Sequence, residues 1–472
     1  MLFLAGHEQA FQFVSAIDTE LRTSETQGLS TKQRAWLAAV LTGIIVTASV
    51  NWDEFSRRTL GQWGPTVFGS MLRRISQNLL QGLWWASLRV ILRAHGIEEG
   101  VLVVDDSDRP RSKNTKEIFA VHKAKDKKTG GYIMAQNIVL LLLVTKKVTI
   151  PIGFDFFRPD PGWKAWEKED KKLKKAGLSK EKRPVRPERN PAFPTRATIA
   201  ARLMREFKYR FPAIHIKAID FDAAYLSKFL RAECARIYPQ VQVISELRSN
   251  QLARAGHKDY KPLSEYFSAR PLKNVTVILR GGLEKKIEMT SARLFIKSLG
   301  RKIHVIAMRY ENESELRYIA AVDMTWRAED VVKAYSLRWL VEVAFEDWKL
   351  YEGFGGKAMQ QGVEGARRSL LLSFFADHFL LHHPVQLSLS RAGKPLCTVG
   401  ALASLIRVDC LITTTTHLMR RPELITPDKD IAAEIRRTIP YYRESSKHMS
   451  GRDAFDFGAS PSLERRFRNQ KL

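Results

Sequence analysis

The sequence predicts an α/β protein flanked by helical regions, and three patterns carry that expectation. Two apolar runs, Gly100-Val-Leu-Val-Val and Ile214-His-Ile-Lys-Ala-Ile, end in acids and read as buried strands delivering carboxylates to a sheet edge. The first ~95 residues and the stretch Leu370 to Leu381 repeat apolar positions at helical spacing. Between Asp222 and Glu342 the pattern is β-rich for about 120 residues, more than one crossover uses. At 472 residues the chain can bury a sizeable core. Its composition shifts divide it into a helical region 1–97, an α/β core 98–240 with 325–385, a β-rich insertion 241–324 and a helical, basic region 386–472. A basic excursion, 158–195, interrupts the core.

Lys and Arg number 77 against 50 Asp and Glu, a formal charge of +27, which favours a polyanionic partner, nucleic acid first. The longest apolar run, Ile138 to Val144, falls far short of the roughly 20 residues a membrane span needs. Met1-Leu-Phe-Leu-Ala-Gly lacks a basic n-region, so no membrane partner and a cytoplasmic setting are expected. Cys234, Cys397 and Cys410 are too scattered for a disulfide framework or a zinc site. The chain has no P-loop, Gly-x-Ser-x-Gly or metal-ligand Cys/His pair.

Taken in order, Ser30-Thr-Lys-Gln33 has the form of a capping box opening a helix through Trp36, Leu37, Val40, Leu41, Ile44 and Ile45. Arg57, Arg58, Arg73, Arg74, Arg89 and Arg93 interleave with the apolar positions that follow, as in a module with one packed face and one that meets phosphate. Strand alternation then puts Asp105 and Asp106 on opposite faces, so only one can point at a shared metal. Phe119 to His122, Tyr132 to Val144 after Gly130-Gly131, and Val148 to Phe157 supply further strands. Three consecutive antiparallel strands are how a ribonuclease H-like sheet starts. His122 reads as structural. From Arg158 to Thr195, Lys, Glu, Pro and Arg dominate; such a segment buries little and reads as a mobile basic excursion able to track a nucleic-acid backbone. Ile214, Ile216, Ala218, Asp220 and Asp222 share one strand face, ahead of a helix opened by Tyr225.

The stretch from Tyr335 to Lys349 organises the rest. At about 100° per residue, Tyr335, Arg338, Glu342 and Lys349 fall within an arc of roughly 60°, among the apolar side chains Leu337, Leu340, Val341, Phe345 and Trp348. Arg338 and Glu342 read most simply as an i,i+4 ion pair. The longer pattern, Tyr-x2-Arg-x3-Glu-x6-Lys with Trp339 after the arginine, resembles the signature of bacterial insertion-sequence DDE transposases of the cut-and-paste type.

That resemblance implies that Glu342 is the third metal-binding carboxylate and that Tyr335, Arg338 and Lys349 grip DNA phosphates. Asp106-Ser107 matches the family's first-Asp motif and Asp222-Ala-Ala-Tyr225 its second, so the implied catalytic and metal-ligand set is Asp106, Asp222 and Glu342, with Asp105 the fallback. Arg248-Ser-Asn250 is similar to a family element that touches DNA. Also implied are a ribonuclease H-like core with an inserted β-rich domain and an N-terminal helical domain that binds terminal inverted repeats. The cofactor would be Mg²⁺, with Mn²⁺ substituting, and the partners terminal-repeat and target double-stranded DNA, held by a homodimer in a bacterial, nucleoid-associated setting. Water would free a 3′-OH that attacks the opposite strand to leave a hairpin, reopened before insertion. Some members stack a flipped base on a Trp ahead of the signature helix; here Tyr318 or Trp326 would take that role. A DDE-type nuclease without strand transfer, or a non-catalytic DNA-binding protein derived from a transposase, are the alternatives.

Overall fold

The computed structural model of the chain describes residues 4–24, 27–58, 63–111, 115, 118–125, 130–256, 259–278, 284–311, 313–354 and 362–420. Gly355, Gly356 and the basic pairs Arg436-Arg437 and Arg465-Arg466 lie outside them. Helices α1 (Leu4–Arg22), α2 (Thr31–Thr47), α3 (Trp52–Arg58), α4 (Pro65–Arg74) and α5 (Gln77–Ala94) come first. The capping box forms at α2: the Gln33 amide donates to the Ser30 hydroxyl and the Ser30 amide donates back to the Gln33 side chain.

A mixed sheet follows, begun by β1 (Glu99–Arg111), β2 (Val121–Lys125), β3 (Tyr132–Val144) and β4 (Thr149–Phe157). After α6 (Pro161–Lys175) and α7 (Arg196–Arg210) come β5 (His215–Phe221), α8 (Lys228–Ile237) and β6 (Gln242–Leu247). The insertion holds β7 (Leu252–Arg254), β8 (Lys261–Pro262), α9 (Leu263–Ser268), β9 (Lys273–Ile278), β10 (Glu284–Ile296) and β11 (Arg301–Tyr310), closed by β12 (Arg317–Ala321). Helices α10 (Ala328–Ser336), α11 (Trp339–Tyr351), α12 (Gly362–Leu381), α13 (Pro384–Arg391) and α14 (Val399–Arg420) complete the described chain.

The strand order is β2-β3-β1-β5-β6-β12-β11-β10-β7-β8, with β4 on β3 and β9 on β10. Strands β1, β3 and β4 form an antiparallel meander, while β5 and β6 run parallel to β1. Residues 241–324 are β-rich, and their strands continue the same sheet through β12 on β6. This stretch has a small core of its own, with Leu263, Phe267, Leu294, Ile303 and Tyr318.

The N-terminal helices share the main core with the sheet, α12 and α14. Trp84 stacks on His378 at 4.8 Å, and the Ser87 hydroxyl meets His378 Nδ1 at 2.8 Å. Of the six arginines expected to face phosphate, Arg89 and Arg93 are engaged by Glu20, at 2.7 and 2.9 Å. Helix α14 includes a window, Val399–His417, long and apolar enough to cross a membrane by length and composition. It packs against α1, α2 and α11, with Leu402, Ala403, Ile406 and Cys410 buried.

The 158–195 segment buries little, as its composition leads one to expect, but it carries a helix and local packing. Trp163 is buried beneath Arg186 and Arg189, whose guanidinium carbons lie 4.4 and 3.1 Å from its ring centre. The Trp166 indole N–H donates to the Pro184 carbonyl at 3.0 Å, and Arg183 pairs with Asp170 at 2.9 Å. Two tryptophans supply the apolar contact that the lysine-rich composition concealed, and they fasten the proline-rich return strand to α6.

Candidate active site

Strand β1 runs in register with β5 only from Glu99 to Val104, and beyond that point it is paired with β3 alone as far as Arg111. Asp105 and Asp106 therefore stand just past the end of the parallel pair, and Asp222 follows the last residue of β5. Val103 is opposite Asp220, so by alternation Asp105 and Asp220 share the face covered by α10 and α11, while Asp106 takes the face covered by α7.

On the α7 side Asp106 is held by three groups. Its Oδ1 accepts from the Tyr225 hydroxyl at 3.0 Å, and its Oδ2 accepts from Asn137 Nδ2 at 2.7 Å and lies 3.3 Å from Arg196 Nε. Asn137 also donates to Asp108 at 2.9 Å and accepts from Arg196 at 3.0 Å. Asp106 is thus the centre of a satisfied polar network.

On the other face the signature stretch is not one continuous helix. It breaks at Leu337-Arg338, where Arg338 N–H bonds to the Tyr335 carbonyl and Val341 N–H to the Arg338 carbonyl, both at 3.0 Å. These i to i+3 bonds overwind the chain, and in such a turn residues three apart eclipse one another. Arg338 is accordingly carried over the Tyr335 ring, 5.9 Å from its centre. The four signature residues do not form the single helical stripe expected, because the 100° step fails across the break.

Each of the four meets a different neighbour. Tyr335 is buried and donates to Glu246 of β6 at 2.9 Å. Arg338 reaches Asp105 at 3.4 Å and Glu342 at 3.6 Å, bridging a carboxylate on the sheet and one on α11. Glu342 is about a third exposed, at 36%. Lys349 lies 5.7 Å from the Phe345 ring centre, and Arg248, just after β6, is exposed. Tyr318 is buried at 4% exposure against Phe267, so it cannot stack a base without unpacking the insertion; Trp326 is half-buried.

The α11 face is short of positive charge. Burial, only partly offset by Arg338, pushes the Asp105 carboxyl up to about 6, and the charges of Asp106 and Asp222 push the same way. Asp220 is fully buried; neither of its oxygens makes a well-formed hydrogen bond, although the Phe221 amide lies beside it. Burial raises its pKa further, as do Asp105 and Asp222. Burial alone would lower the Arg338 pKa, yet Tyr335, Asp105 and Asp220 together raise it. One guanidinium serves Asp105, Asp220 and Glu342, with Asp222 near. All four are hard oxygen donors, as a divalent cation such as Mg²⁺ requires. Among the described residues no three His, Cys, Asp or Glu side chains stand close enough together to hold an ion in this arrangement, in which Arg338 bridges two of the carboxylates.

No protein-family model matches this chain, and no curated protein is significantly similar to it. Sequence reasoning missed Glu246, Asn137 and Arg196. Arg196 has a local signal, because Thr195 caps α7 and fixes where its first residue points; Glu246 and Asn137 have none, since only strand pairing brings them to the site.

Proposed function

We propose that the protein is a DDE-type DNA transposase, which binds terminal inverted repeats, cleaves DNA with metal assistance and joins the freed 3′-OH ends to target DNA. The observation that carries this reading is the gathering of Asp105, Asp220 and Asp222 at the ends of adjacent parallel strands, facing Arg338 and Glu342 of the signature stretch. The β4-β3-β1-β5-β6 arrangement, an antiparallel meander beside two parallel strands, supports a ribonuclease H-like core. The +27 charge supports DNA as partner.

Within this reading the first ligand is Asp105 instead of Asp106, because Asp105 shares a face with Arg338 and Glu342 whereas Asp106 is committed to Tyr225, Asn137 and Arg196. Asp105, Asp222 and Glu342 would hold Mg²⁺, or Mn²⁺ in its place. When bound, the metal supplies charge stabilisation for the entering and leaving oxygens of phosphodiester hydrolysis. Asp220 adds negative charge beneath the ligands. Lys349 and Arg248 bind phosphate, and Arg338 exchanges a carboxylate for one. Tyr335 fixes the turn that aims Arg338 through its bond to Glu246. A hairpin intermediate, a homodimer on DNA and a cytoplasmic, nucleoid-associated setting complete the proposal.

The test incubates the protein with Mg²⁺ and duplexes carrying candidate terminal repeats from the flanks of its own coding sequence. Joined products support transposition. Cut products alone point to a nuclease, and bound but uncut DNA to a non-catalytic binder.

A further inference from the structure

Helix α6 leaves the sheet four residues after β4 ends, and the segment returns at Arg196, which touches Asp106. Strand β4 runs parallel to β1, because each is antiparallel to β3, so both ends of the 158–195 segment sit at the edge that carries the aspartates. Burial first, and then the charges of Lys164 and Arg196, hold the His122 pKa down, while Asp108 opposes them. Lys164, at the base of α6, is therefore close to the Asp108 end of β1.

At about 100° per residue, Lys164, Lys168, Lys171 and Lys175 fall within an arc of roughly 60°, and Lys172 lies roughly 40° beyond it. All five are exposed, and none makes an ion pair or hydrogen bond with a described residue. Of the three acids on α6, Glu167 accepts from the Trp163 indole at 2.9 Å and Asp170 pairs with Arg183, while Glu169 lies about 140° round the helix from Lys164, off the row. Like charges at i,i+4 repel by roughly 0.2–0.5 kcal/mol per pair. Yet the helix is not left to flex: Trp163, Trp166 and the return strand hold it, and Asp160 caps it. A row of uncompensated cations on one helical face fits a regular row of anions. From Lys164 to Lys175 the row rises about 17 Å. One strand of a duplex presents a phosphate every ~3.4 Å of axis, so the row faces about five phosphates.

We propose that α6 is a DNA-backbone arm, its lysine row lying along one strand of duplex DNA beside the β1–β5 edge. This rests on the transposase reading and adds where the substrate lies: it passes along the α7 side of the sheet before it reaches Asp105.

The test compares two proteins of equal charge. One carries Lys164→Gln, Lys168→Gln, Lys171→Gln and Lys175→Gln; the other carries Lys273→Gln, Lys286→Gln, Lys297→Gln and Lys302→Gln, exposed lysines of the insertion. Binding to a duplex is measured across a salt series, with thermal melting confirming the fold. At about 0.9 per neutralised phosphate, the α6 variant should lose roughly 3–4 from the slope of log affinity against log salt, and the insertion variant should keep nearly all of it. An unchanged slope in the α6 variant, or equal losses in both, overturns the assignment. So does a loss of binding to anionic phospholipid vesicles with the DNA slope unchanged, which would give the row to a membrane. If the parent cleaves and joins DNA while the α6 variant keeps its slope, only the arm is wrong. A parent that neither binds nor cuts duplex DNA removes the transposase reading along with it.

Discussion

Replacing Asp105 by Asn, alongside Asp106 by Asn, separates the two faces of β1. Burial moves the Asp105 carboxyl from the ordinary 3.8 to about 6, which corresponds to roughly 3 kcal/mol against its ionised form. An acid whose pKa is higher in the folded state stabilises the fold below its unfolded pKa, near 3.8, and that contribution is lost as pH rises through 6. At pH 8 without metal, ionised Asp105 therefore works against folding, and Asp105→Asn relieves it. Unfolding entropy of about 2 cal/mol/K per residue over 472 residues is roughly 1 kcal/mol/K, so Tm should rise by about 3 °C at pH 8, with the gain shrinking toward pH 4. The same variant should lose Mg²⁺-dependent nicking and the stabilisation that Mg²⁺ gives the parent. In the parent that stabilisation should weaken below pH 6, where Asp105 holds its proton.

Asp106→Asn has the opposite signature. It removes the acceptor charge from Tyr225, Asn137 and Arg196, which costs about 1–3 kcal/mol, so Tm falls while nicking and the Mg²⁺ response persist. Melting with and without Mg²⁺ at pH 5 and pH 8, together with plasmid nicking, reads all of this on one preparation. An Asp106→Asn protein that folds but has lost both nicking and the Mg²⁺ response, beside an Asp105→Asn protein that keeps both, would refute the assignment.

Glu342→Gln should leave repeat-DNA binding intact and cut nicking by orders of magnitude, because its carboxylate is a third exposed and its ion pair is long; a variant that nicks at the parental rate removes Glu342 from the site. Trp326→Ala should slow hairpin formation with little change in Tm, whereas Tyr318→Ala should lower Tm by opening the insertion core; equal hairpin rates in the Trp326 variant and the parent end the stacking idea. Burial holds the His378 pKa down at about 4. A base depressed in this way stabilises the fold above about 6.5, and that stability is lost as pH falls from there toward 4, up to roughly 3 kcal/mol. His378→Gln should flatten Tm between pH 6.5 and 4; unchanged acid sensitivity would place the cause elsewhere.

What was legible in the sequence was local. The strand that carries Asp105-Asp106, the opposite faces of those two residues, the capping box at Ser30 and the β-rich stretch 241–324 all follow from spacings of two to four residues; that β1 runs on to Arg111 does not. What was not legible depends on pairing. No spacing shows that Val103 lies opposite Asp220, yet that register sets which aspartate faces Arg338. In the 158–195 segment composition averages over the two tryptophans, at positions 163 and 166, that do the packing.

The break at Leu337-Arg338 explains why the signature spacings matter. A gap of two residues inside an overwound turn places Arg338 over Tyr335, and a gap of three on α11 lets it meet Glu342. The same guanidinium then reaches Asp105, a residue 233 positions away. One cation thus neutralises part of two carboxylates from separate elements and holds them near each other. Any phosphate that draws Arg338 away frees both oxygens together and leaves Asp105, Asp220 and Asp222 with still less compensation. In the transposase reading, DNA that engages Arg338 strengthens metal binding, and by reciprocity bound metal strengthens the hold on that phosphate.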